Sequence, residues 1–439
     1  MSLAGGRWTV TAISVSLAGG IYWGYRHVLA VDRMLHGDGY QFTLVFLCIF
    51  LFLAWQLALA WSSRPFTTNR RQQAVADRLT TTVNVPVYNE DPVLLDKVLR
   101  SLFEQTRLPG KVSVVDDGSK VDYSGLRAWW ELHHPRAVAF EWIRQDNGGK
   151  RSAQMATFDR GDAEILITID SDTMLHSRAI EEGLKPFADP RVMSVAGLVL
   201  ALNKHKNVLV KTIDLVITTW QLTSRSALSV FGGVMVNSGP YALYRSSVIA
   251  EARDAYLAET FCGRPVHFSD DALLTMYALL RGRAVQQHTA VAFTTWPEGL
   301  SHHVRQQLRW CRGMFIRSFW RFRYLPVTGI PFWFEIVSWV QFLLSTLAFA
   351  EIFVIESAVQ HHLVLTALII TPLLTYGVTL RTLMVRRDDE TRWQQIGVYA
   401  LSPLIIVWGW LIFRPLRVWG MVTCLKLGWG TREEVEVSG

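Results

Sequence analysis

Two aspartates stand at i and i+2 directly after an apolar run, in the segment ITIDSDT (residues 167–173). If that run is a β-strand, its period of two sends the side chains of Asp170 and Asp172 to the same side. Two carboxylates on one side can hold a hard divalent cation such as Mg²⁺ or Mn²⁺, which prefers oxygen ligands and keeps positions open for phosphate oxygens. Such a cation would neutralise a diphosphate and stabilise it as a leaving group.

Two other apolar runs also end in polar residues. VNVPVYNE (residues 83–90) ends in an amide and an acid, and VVDDGS (residues 114–119) contains two adjacent acids. In an open parallel sheet, ligands bind at the carboxyl ends of the strands, so these ends are expected to converge on one crevice. Asp and Ser after a strand also simply begin turns, but three such ends in series favour a binding site.

The segment DNGGKRSAQ (residues 146–154) places a Gly-Gly pair directly before Lys150. A helix N-terminus that carries a lysine attracts anions, because its free N–H groups and the side chain both favour negative charge. A plain transition from loop to helix explains the two glycines equally well.

The segment HFSDDALLTMYALLRG (residues 267–282) predicts a helix that begins at Ser269. The predicted apolar face consists of Leu273, Leu274, Tyr277 and Leu280. Serine followed by acids in the first turn is ordinary helix capping. The functional alternative makes one acid a general base, and burial would raise its pKa toward neutrality for that task.

The most specific local pattern is HHVRQQLRW (residues 302–310). Gln306, Arg309 and Trp310 fall on one face of a helix because they are spaced i, i+3 and i+4. The indole could stack on a sugar ring while the guanidinium holds phosphate. An amphipathic helix on a membrane surface also uses Arg and Trp, and both interpretations can hold at once.

An alternation of strands and helices must position these residues. β-rich runs are predicted at 81–87, 111–116, 138–143 and 164–169. Helix-like stretches lie between them, near 91–106 and 149–160. This order predicts an α/β region with a largely parallel sheet flanked by helices.

The flanks of the α/β region indicate a membrane protein. Half of the 439 residues are hydrophobic and only 18% are charged, a smaller charged share than soluble domains usually have. Apolar runs at 8–25 and 41–61 precede the α/β region, and each is about long enough to cross ~30 Å of hydrocarbon. Further apolar runs follow at 332–357, 363–385 and 395–420. The net charge of +7 is small and the basic residues are scattered along the chain, which argues against nucleic acid as a partner.

Basic residues predict the orientation of the chain in the membrane. Arg64, Arg70 and Arg71 follow the second run, so that end is expected to face the cytoplasm. Basic residues flank the last run on both sides, and Arg414-Pro415 is expected to break its helix. A broken or re-entrant final segment, with both ends in the cytoplasm, is therefore predicted.

Taken together, these motifs resemble those of processive, inverting family-2 glycosyltransferases of the hyaluronan synthase type, over nearly the whole chain. The motifs that carry the resemblance are PVYNE, VVDDGS, GGKRSAQ, DSDT, NSGPYALYR (237–245), FSDD, RQQLRW and GWGTRE (428–433). The resemblance implies a GT-A-type α/β domain, with a mixed and mostly parallel sheet, embedded in an α-helical transmembrane domain. The implied segments are two transmembrane helices at 1–62, a cytoplasmic glycosyltransferase domain at 63–298, interface helices at 299–330, transmembrane or re-entrant helices at 331–428 and a cytoplasmic tail at 429–439.

The resemblance also implies a role for each matching residue on the donor side. The residues implied to contact uridine and ribose are Tyr88, Glu90 and Asp117. Lys150 is implied to approach the diphosphate, and Asp170 and Asp172 to bind Mg²⁺ or Mn²⁺. The residues implied to close over the nucleotide are Trp429, Thr431 and Arg432.

On the acceptor side, the resemblance implies a pocket and a base. The residues implied to shape the pocket are Ser238, Gly239 and Pro240. Asp271 is the implied general base, with Asp270 beside it. The residues implied to bind the diphosphate and the acceptor terminus are Gln306, Arg309 and Trp310.

The implied activity is the polymerisation of UDP-GlcNAc and UDP-GlcA into hyaluronan, with export of the growing polysaccharide across the bilayer. The chain departs from the family pattern at Ser269 and Ala272, where relatives carry Gly and a basic residue, and at Asn237, where many carry Cys or another small residue. Rhizobial chito-oligosaccharide synthases share most of the motifs and use UDP-GlcNAc alone, so a chitin-type product stays open. A membrane transporter or sensor with a degenerate sugar-binding domain is the remaining alternative.

Overall fold

A computed structural model describes residues 40–350 and 361–427, together with Arg26 and Phe353. The predicted first apolar span, at residues 8–25, and the terminal GWGTRE segment lie outside the described residues. The described part of the chain divides into two compact units. An α/β unit comprises Arg64–Val210, Leu228–Pro326 and the residues from Arg417 onward, and a helical unit comprises the rest.

The α/β unit contains an eight-stranded sheet in the order β3-β2-β1-β4-β7-β6-β10-β5. Its strands are β1 (Thr81–Val87), β2 (Lys111–Asp117), β3 (Ala139–Gln145), β4 (Ile165–Ile169), β5 (Met174–Leu175), β6 (Val192–Ala201), β7 (Tyr241–Arg245) and β10 (Arg283–Thr294). A separate hairpin pairs β8 (Thr260–Phe261) with β9 (Arg264–Pro265). The four predicted strands are confirmed as β1 to β4.

The sheet is mixed and mostly parallel, as predicted. Strand β1 is parallel to β2 and β4, and β3 is parallel to β2. Strand β7 is antiparallel to both β4 and β6, and β10 is parallel to β6. The carboxyl ends of β1, β2, β4 and β10 therefore lie at one edge of the sheet, where an open α/β sheet binds its ligands.

The helices of the described residues are α1 (Tyr40–Ser62), α2 (Arg70–Arg78), α3 (Pro92–Phe103), α4 (Ser124–His133), α5 (Lys150–Phe158), α6 (Ala179–Leu184), α7 (Val208–Trp220), α8 (Ser226–Val230), α9 (Ser246–Leu257), α10 (Asp270–Leu279), α11 (Leu300–Tyr324), α12 (Ile330–Ala350), α13 (His361–Thr379), α14 (Arg392–Ala400), α15 (Ser402–Trp408) and α16 (Arg414–Val422). The two helices predicted near 91–106 and 149–160 are confirmed as α3 and α5. Helix α5 packs on β1 and β2, which sets the position of Lys150 at its first residue.

The core of the α/β unit explains why its central strands are continuous apolar runs. Val83, Val85, Ile165 and Ile167 are fully buried, as expected for strands that helices cover on both faces. The predicted apolar face of α10 is right for Leu273 and Leu274, which pack in the core, and for Tyr277, which packs against it. It is wrong for Leu280, which follows the last residue of the helix and is 41% exposed.

The helical unit includes Lys211–Ala227, which the sequence analysis assigned to the glycosyltransferase domain. Two helical segments of the described residues are long and apolar enough to cross a membrane, Ile330–Ala350 and Arg392–Val422. The shorter apolar helical segments are Leu47–Ser62 and Leu368–Met384. Length and composition thus agree with membrane spans at these positions.

The predicted break at Arg414-Pro415 is wrong, because the helix continues to Val422. A π-helical turn, Gly409–Phe413, directly precedes the proline, and such wider turns accommodate a missing backbone N–H. The guanidinium of Arg414 is also satisfied. It donates to the hydroxyls of Ser345, at 2.7 Å, and Thr346.

Candidate active site

Polar residues follow three strands whose carboxyl ends share one edge of the sheet. Strand β1 is followed by half-buried Tyr88 and buried Glu90, β2 ends at Asp117, and β4 is followed by Asp170. The Oε2 atom of Glu90 accepts a hydrogen bond from the hydroxyl of Ser171 at 2.7 Å. The stretches after β1 and β4 therefore meet directly.

The charged groups of Lys150, Asp170 and Asp271 converge on Gly239. The ammonium of Lys150 donates to Oδ1 of Asp170, and the backbone N–H of Gly239 donates to Oδ2 of Asp271 at 3.1 Å. A Cβ atom on Gly239 would lie 3.6 Å from Nζ of Lys150, 3.7 Å from Oδ2 of Asp170 and 3.8 Å from Oδ2 of Asp271. The position of that Cβ atom thus lies within contact distance of one ammonium group and two carboxylates. It is open because residue 239 is a glycine.

The electrostatics of this cluster favour a basic Asp271. Burial raises the pKa of Asp271 above its ordinary value, and the nearby Asp270 and Asp170 carboxylates raise it further against the opposing effect of Lys150. Burial alone would lower the pKa of Lys150, but Asp170, Asp270 and Asp271 outweigh it and raise that pKa. The pair therefore combines a permanent cation with a carboxylate suited to accept a proton.

Asp172 is oriented by two hydroxyls at the end of β10. Its Oδ2 accepts from Thr295 at 2.7 Å and its Oδ1 from Thr294 at 3.2 Å. The structure describes no cluster of three His, Cys, Asp or Glu side chains arranged as metal ligands. Two carboxylates, Asp170 and Asp172, still suit Mg²⁺ or Mn²⁺, because Mg²⁺ commonly binds through one or two carboxylates plus waters and substrate phosphates. Asp170 already stabilises one positive charge, that of Lys150.

Asp117 holds the Gly-Gly loop that leads into α5. Its carboxylate accepts hydrogen bonds from the backbone N–H groups of Gly148, at 2.9 Å, and Gly149, at 2.8 Å, and from the amide of Gln145 at 2.7 Å. Gly149 has a φ of 83°, which glycine adopts without strain. Asp117 and this left-handed glycine together aim the first turn of α5, and with it Lys150, at the site.

The turn before Asp271 differs from the predicted capping. Ser269 adopts a left-handed conformation, with φ 61° and ψ 42°, and its side chain makes no capping hydrogen bond. Asp270 is buried and accepts a hydrogen bond from Arg151, whereas Asp271 is half-buried and faces Gly239. The two adjacent acids therefore have different surroundings, and only Asp271 is placed at the convergence point.

The predicted face of α11 reaches the same turn. Gly313 lies three residues after Trp310, four after Arg309 and seven after Gln306, so all four share one helical face. A Cβ atom on Gly313 would lie 2.8 Å from Cβ of Ser269, two residues before Asp271. Trp310 is 40% exposed, and Oε1 of Gln306 is buried without a hydrogen-bond partner among the described residues. The face that carries Gln306, Arg309 and Trp310 thus continues along α11 to the turn that precedes Asp271.

The predicted acceptor-pocket residues lie in a turn before β7. Ser238 and Pro240 are half-buried in the turn that leads from Asn237 into β7, where the backbone N–H of Tyr241 donates to the carbonyl of Ser238 at 3.1 Å. The predicted nucleotide-closing residues Trp429, Thr431 and Arg432 lie outside the described residues.

Two groups of residues around the site were not predicted from the sequence. Thr294 is the last residue of β10 and Thr295 follows it, and both orient Asp172 at the same edge as the predicted acids. Two adjacent threonines at a strand end were the available signal. The second group is a buried set of ion pairs behind Asp271, formed by Arg151, Asp270, Glu259 and Arg317. Its partners are far apart in sequence, so no local pattern indicates them.

Comparison with known families gives one match over more than half of the chain. Residues 78–313 match the family model described as glycosyltransferase like family 2. This range contains every predicted site residue except the three that lie beyond residue 428.

Individual relatives are similar over different lengths. A hyaluronan synthase of Streptococcus pyogenes is 30% identical over 389 residues, which cover 88% of this chain and 90% of the relative. An N-acetylglucosaminyltransferase of Rhizobium meliloti is 35% identical over 241 residues, which cover 54% of this chain and 56% of the relative. Among solved structures, a mannosyltransferase of Pyrobaculum calidifontis in complex with GDP-Man and Mn²⁺ aligns with a TM-score of 0.48 and 16% identity, over 95% of this chain and 99% of that one.

Proposed function

This chain belongs to glycosyltransferase family 2, and from that premise we propose that it is a processive, inverting synthase that makes hyaluronan from UDP-GlcNAc and UDP-GlcA. The observation that carries the proposal is the convergence of Lys150, Asp170 and Asp271 on the open point at Gly239. A glycosyl transfer needs a base, a cation for the leaving diphosphate and space for the acceptor between them. We assign the base to Asp271, the cation to Lys150 and the place of the acceptor hydroxyl to the open position beside Gly239.

The identity of the product rests on the relatives. The streptococcal hyaluronan synthase is similar along 90% of its own length, including the helical regions outside the family match. A similarity that covers membrane and catalytic regions together supports a shared overall task, whereas a similarity restricted to the catalytic domain supports only shared transfer chemistry.

Transfer begins at the base. The carboxylate of Asp271 takes the proton from an acceptor hydroxyl, and that oxygen attacks the anomeric carbon of the donor sugar in line. The glycosidic bond forms on one face as the bond to the diphosphate breaks on the other, so the anomeric configuration inverts. The leaving UDP develops negative charge, which Lys150 and Arg309 stabilise.

The proposed donor contacts and the proposed acceptor contacts come from different segments of the chain. Tyr88, Glu90 and Asp117, at the ends of β1 and β2, are proposed to contact uridine and ribose, and Asp117 also holds the loop before Lys150 in place. The proposed acceptor pocket consists of Ser238, Gly239, Pro240, Gln306 and Trp310. The proposed closing residues are Trp429, Thr431 and Arg432.

A divalent cation is part of the proposal. Asp170 and Asp172 would hold Mg²⁺ or Mn²⁺, which when bound would neutralise charge on the diphosphate. Thr294 and Thr295 would keep the carboxylate of Asp172 in its orientation, as groups behind a ligand commonly do.

The helical unit is proposed to lie in the plasma or inner membrane with the α/β unit in the cytoplasm, where UDP-sugars are made. Ile330–Ala350 and Arg392–Val422 are long and apolar enough to serve as spans. Synthesis on the cytoplasmic side would then be coupled to export of the growing chain across the bilayer.

A second candidate is a chito-oligosaccharide synthase that uses UDP-GlcNAc alone. The 35% identity to the rhizobial N-acetylglucosaminyltransferase favours it within the catalytic region. Asn237 and Ser269, where the chain departs from the family pattern, both lie close to the acceptor side.

One product assay separates the two candidates. Membranes that contain the protein are incubated with UDP-GlcNAc alone, with UDP-GlcA alone and with both donors. Polymer that needs both donors and is degraded by hyaluronidase supports the hyaluronan synthase. Polymer or oligomers from UDP-GlcNAc alone, resistant to hyaluronidase and degraded by chitinase, support the second candidate instead.

A further inference from the structure

A buried set of charges lies directly behind the candidate base. Its four members, Arg151, Asp270, Glu259 and Arg317, are 7%, 5%, 8% and 1% exposed. Two cations and two anions balance one another, and such pairing offsets the cost of removing charges from water. Burial opposes ionisation of Glu259, but hydrogen bonds from Arg317 and Arg151 lower its pKa below the ordinary value, so Glu259 is an anion in the folded protein.

Glu259 is the centre of this set, because its carboxylate accepts four hydrogen bonds. Its Oε2 accepts from Arg151 at 2.7 Å and from Arg317 at 2.8 Å. Its Oε1 accepts from Arg317 and from the indole N–H of half-buried Trp320 at 3.0 Å. Four bonds use the accepting capacity of a carboxylate fully, so the position of Glu259 fixes three other side chains.

All three side chains lie on helices that also carry predicted site residues, Arg151 on α5 and Arg317 and Trp320 on α11. Arg151 follows Lys150 in α5, and it also donates to Asp270, the neighbour of Asp271. Arg317 lies eight residues after Arg309, about two turns further along α11. The three elements that carry the cation, the base and the phosphate-binding face are therefore joined through one carboxylate.

The two arginines also hold the turn that aims the base. The carbonyl oxygen of Phe268 accepts hydrogen bonds from Arg151 at 3.2 Å and from Arg317 at 3.4 Å. Phe268 directly precedes Ser269, whose left-handed backbone turns the chain into α10. Asp271 reaches Gly239 only if this turn keeps its conformation.

We propose that Glu259 is a positioning residue for the transfer reaction. By holding Arg151, Arg317 and Trp320 at fixed distances, it sets where the Phe268–Ser269 turn places Asp271 relative to Lys150 and to the face of α11. This inference rests on the proposed function, because it assigns Asp271 the role of base. The side chains that Glu259 binds are Arg151, Arg317 and Trp320, none of which is at the convergence point, so Glu259 acts through them.

The test compares Glu259→Gln with the wild type in the full-length protein in detergent or membranes. The variant keeps the shape of the side chain and removes its charge, which frees the two guanidiniums to shift. A displacement of the base by about 1 Å lowers kcat by about 100-fold, whereas the dissociation constant of UDP, measured calorimetrically, is expected to change by less than about three-fold. A kcat per UDP-binding site equal to that of the wild type would overturn the positioning role.

The matched control is Asp159→Asn. Asp159 directly follows α5 and forms a solvent-exposed ion pair with Arg253, with both contacts at 2.7 Å. The control variant breaks this ion pair at the C-terminal end of α5, away from Lys150 and Arg151 at the N-terminal end. Its kcat and UDP affinity are therefore expected to stay at the wild-type level. A loss equal to that of Glu259→Gln would mean that any ion pair on α5 affects turnover, which would also overturn the proposal.

Trp320→Phe tests the positioning role of Glu259 if Glu259→Gln does not fold. It keeps an aromatic ring at this position and removes the hydrogen bond to Oε1 of Glu259, together with part of the indole ring that packs against Phe261 and Tyr324. A drop in kcat of about three- to ten-fold at unchanged UDP affinity is expected for the loss of one such bond, and an unchanged kcat overturns the proposal. A wild type that releases no UDP from either donor contradicts the proposed function and the positioning role with it, whereas an active wild type with insensitive variants contradicts the positioning role alone.

Discussion

The carboxylate of Asp271 accepts a hydrogen bond from the backbone N–H of Gly239 at 3.1 Å, although 32 residues separate the two in sequence. This contact brings the turn before β7 against the first turn of α10. It also leaves the Cα of Gly239 facing Lys150 and Asp170 without a side chain between them. The geometry of the proposed transfer therefore depends on a residue that contributes only its backbone.

Gly239→Ala tests whether the open point at Gly239 is the reaction space. The new methyl group would lie 3.6 to 3.8 Å from three charged atoms, which is ordinary van der Waals contact, so the fold is expected to survive. The methyl group would nevertheless occupy the space between base and cation, and UDP release is expected to fall at least ~10-fold. Gly125→Ala is the control, because no atom lies within 4 Å of the added Cβ there. Equal activity of both variants would contradict the assignment.

Ser269→Gly tests the strain in the turn before the base. A non-glycine residue in the left-handed region costs ~1–2 kcal/mol, and glycine returns ~0.5–1 kcal/mol of that as unfolded-state entropy. The variant is therefore expected to raise the apparent Tm by about 1–2 °C and to keep its activity. Ser269→Ala removes the hydroxyl and keeps the backbone strain, so its Tm is expected to equal that of the wild type. A lower Tm for Ser269→Gly would mean that the hydroxyl, rather than the backbone, matters here.

The pH dependence of transfer follows from the raised pKa of Asp271. The base must be ionised to take a proton, so kcat is expected to fall as pH drops through that pKa, at a higher pH than for an ordinary carboxylate. The positive charge of Lys150 lowers the pKa of Asp271. Lys150→Met is therefore expected to move the acid limb of the kcat profile to still higher pH. Lys150→Arg keeps the charge, so its acid limb is expected to stay near that of the wild type. An acid limb that moves to lower pH in Lys150→Met would exclude Asp271 as the titrating group.

Metal dependence tests the proposed role of Asp172. Chelation with EDTA is expected to stop UDP release, and Mn²⁺ or Mg²⁺ to restore it. Thr295→Val removes the 2.7 Å hydrogen bond to Asp172, and the concentration of Mn²⁺ needed for half-maximal activity is expected to rise ~10-fold. Thr289→Val, in the same strand, removes a hydrogen bond to Glu182 instead and should leave that concentration unchanged. Activity that persists fully in EDTA would remove the metal from the mechanism.

The strands and the site acids could be predicted because their signals are local. A buried parallel strand is a short apolar run, and the acids of β2 and β4 stand where such a run stops, so position and neighbourhood follow from a few adjacent residues. The shared helical face of Gln306, Arg309 and Trp310 on α11 could also be predicted, because these residues lie within two turns of one another.

What could not be predicted depends on contacts between distant parts of the chain. Glu259 and Arg151 are 108 residues apart, and neither has a neighbour in sequence that indicates the other. Ser269 was predicted to be an ordinary helix cap because its left-handed backbone and its close contact with Gly313 of α11, 44 residues away, leave no local signal in the sequence. Pro415 looked like a helix break because the π-helical turn that precedes it has no sequence signature.

The most direct test of the proposed chemistry is the purified Asp271→Asn variant in a coupled UDP-release assay with both donors, with UDP affinity measured on the same sample. The amide is nearly the same size as the carboxylate and can still accept the hydrogen bond from Gly239, but it cannot take a proton. Loss of transfer by at least ~100-fold with UDP affinity nearly unchanged is the predicted result. Polymer formation at a rate close to that of the wild type would contradict the assignment of Asp271 as the base, and with it the mechanism proposed for this site.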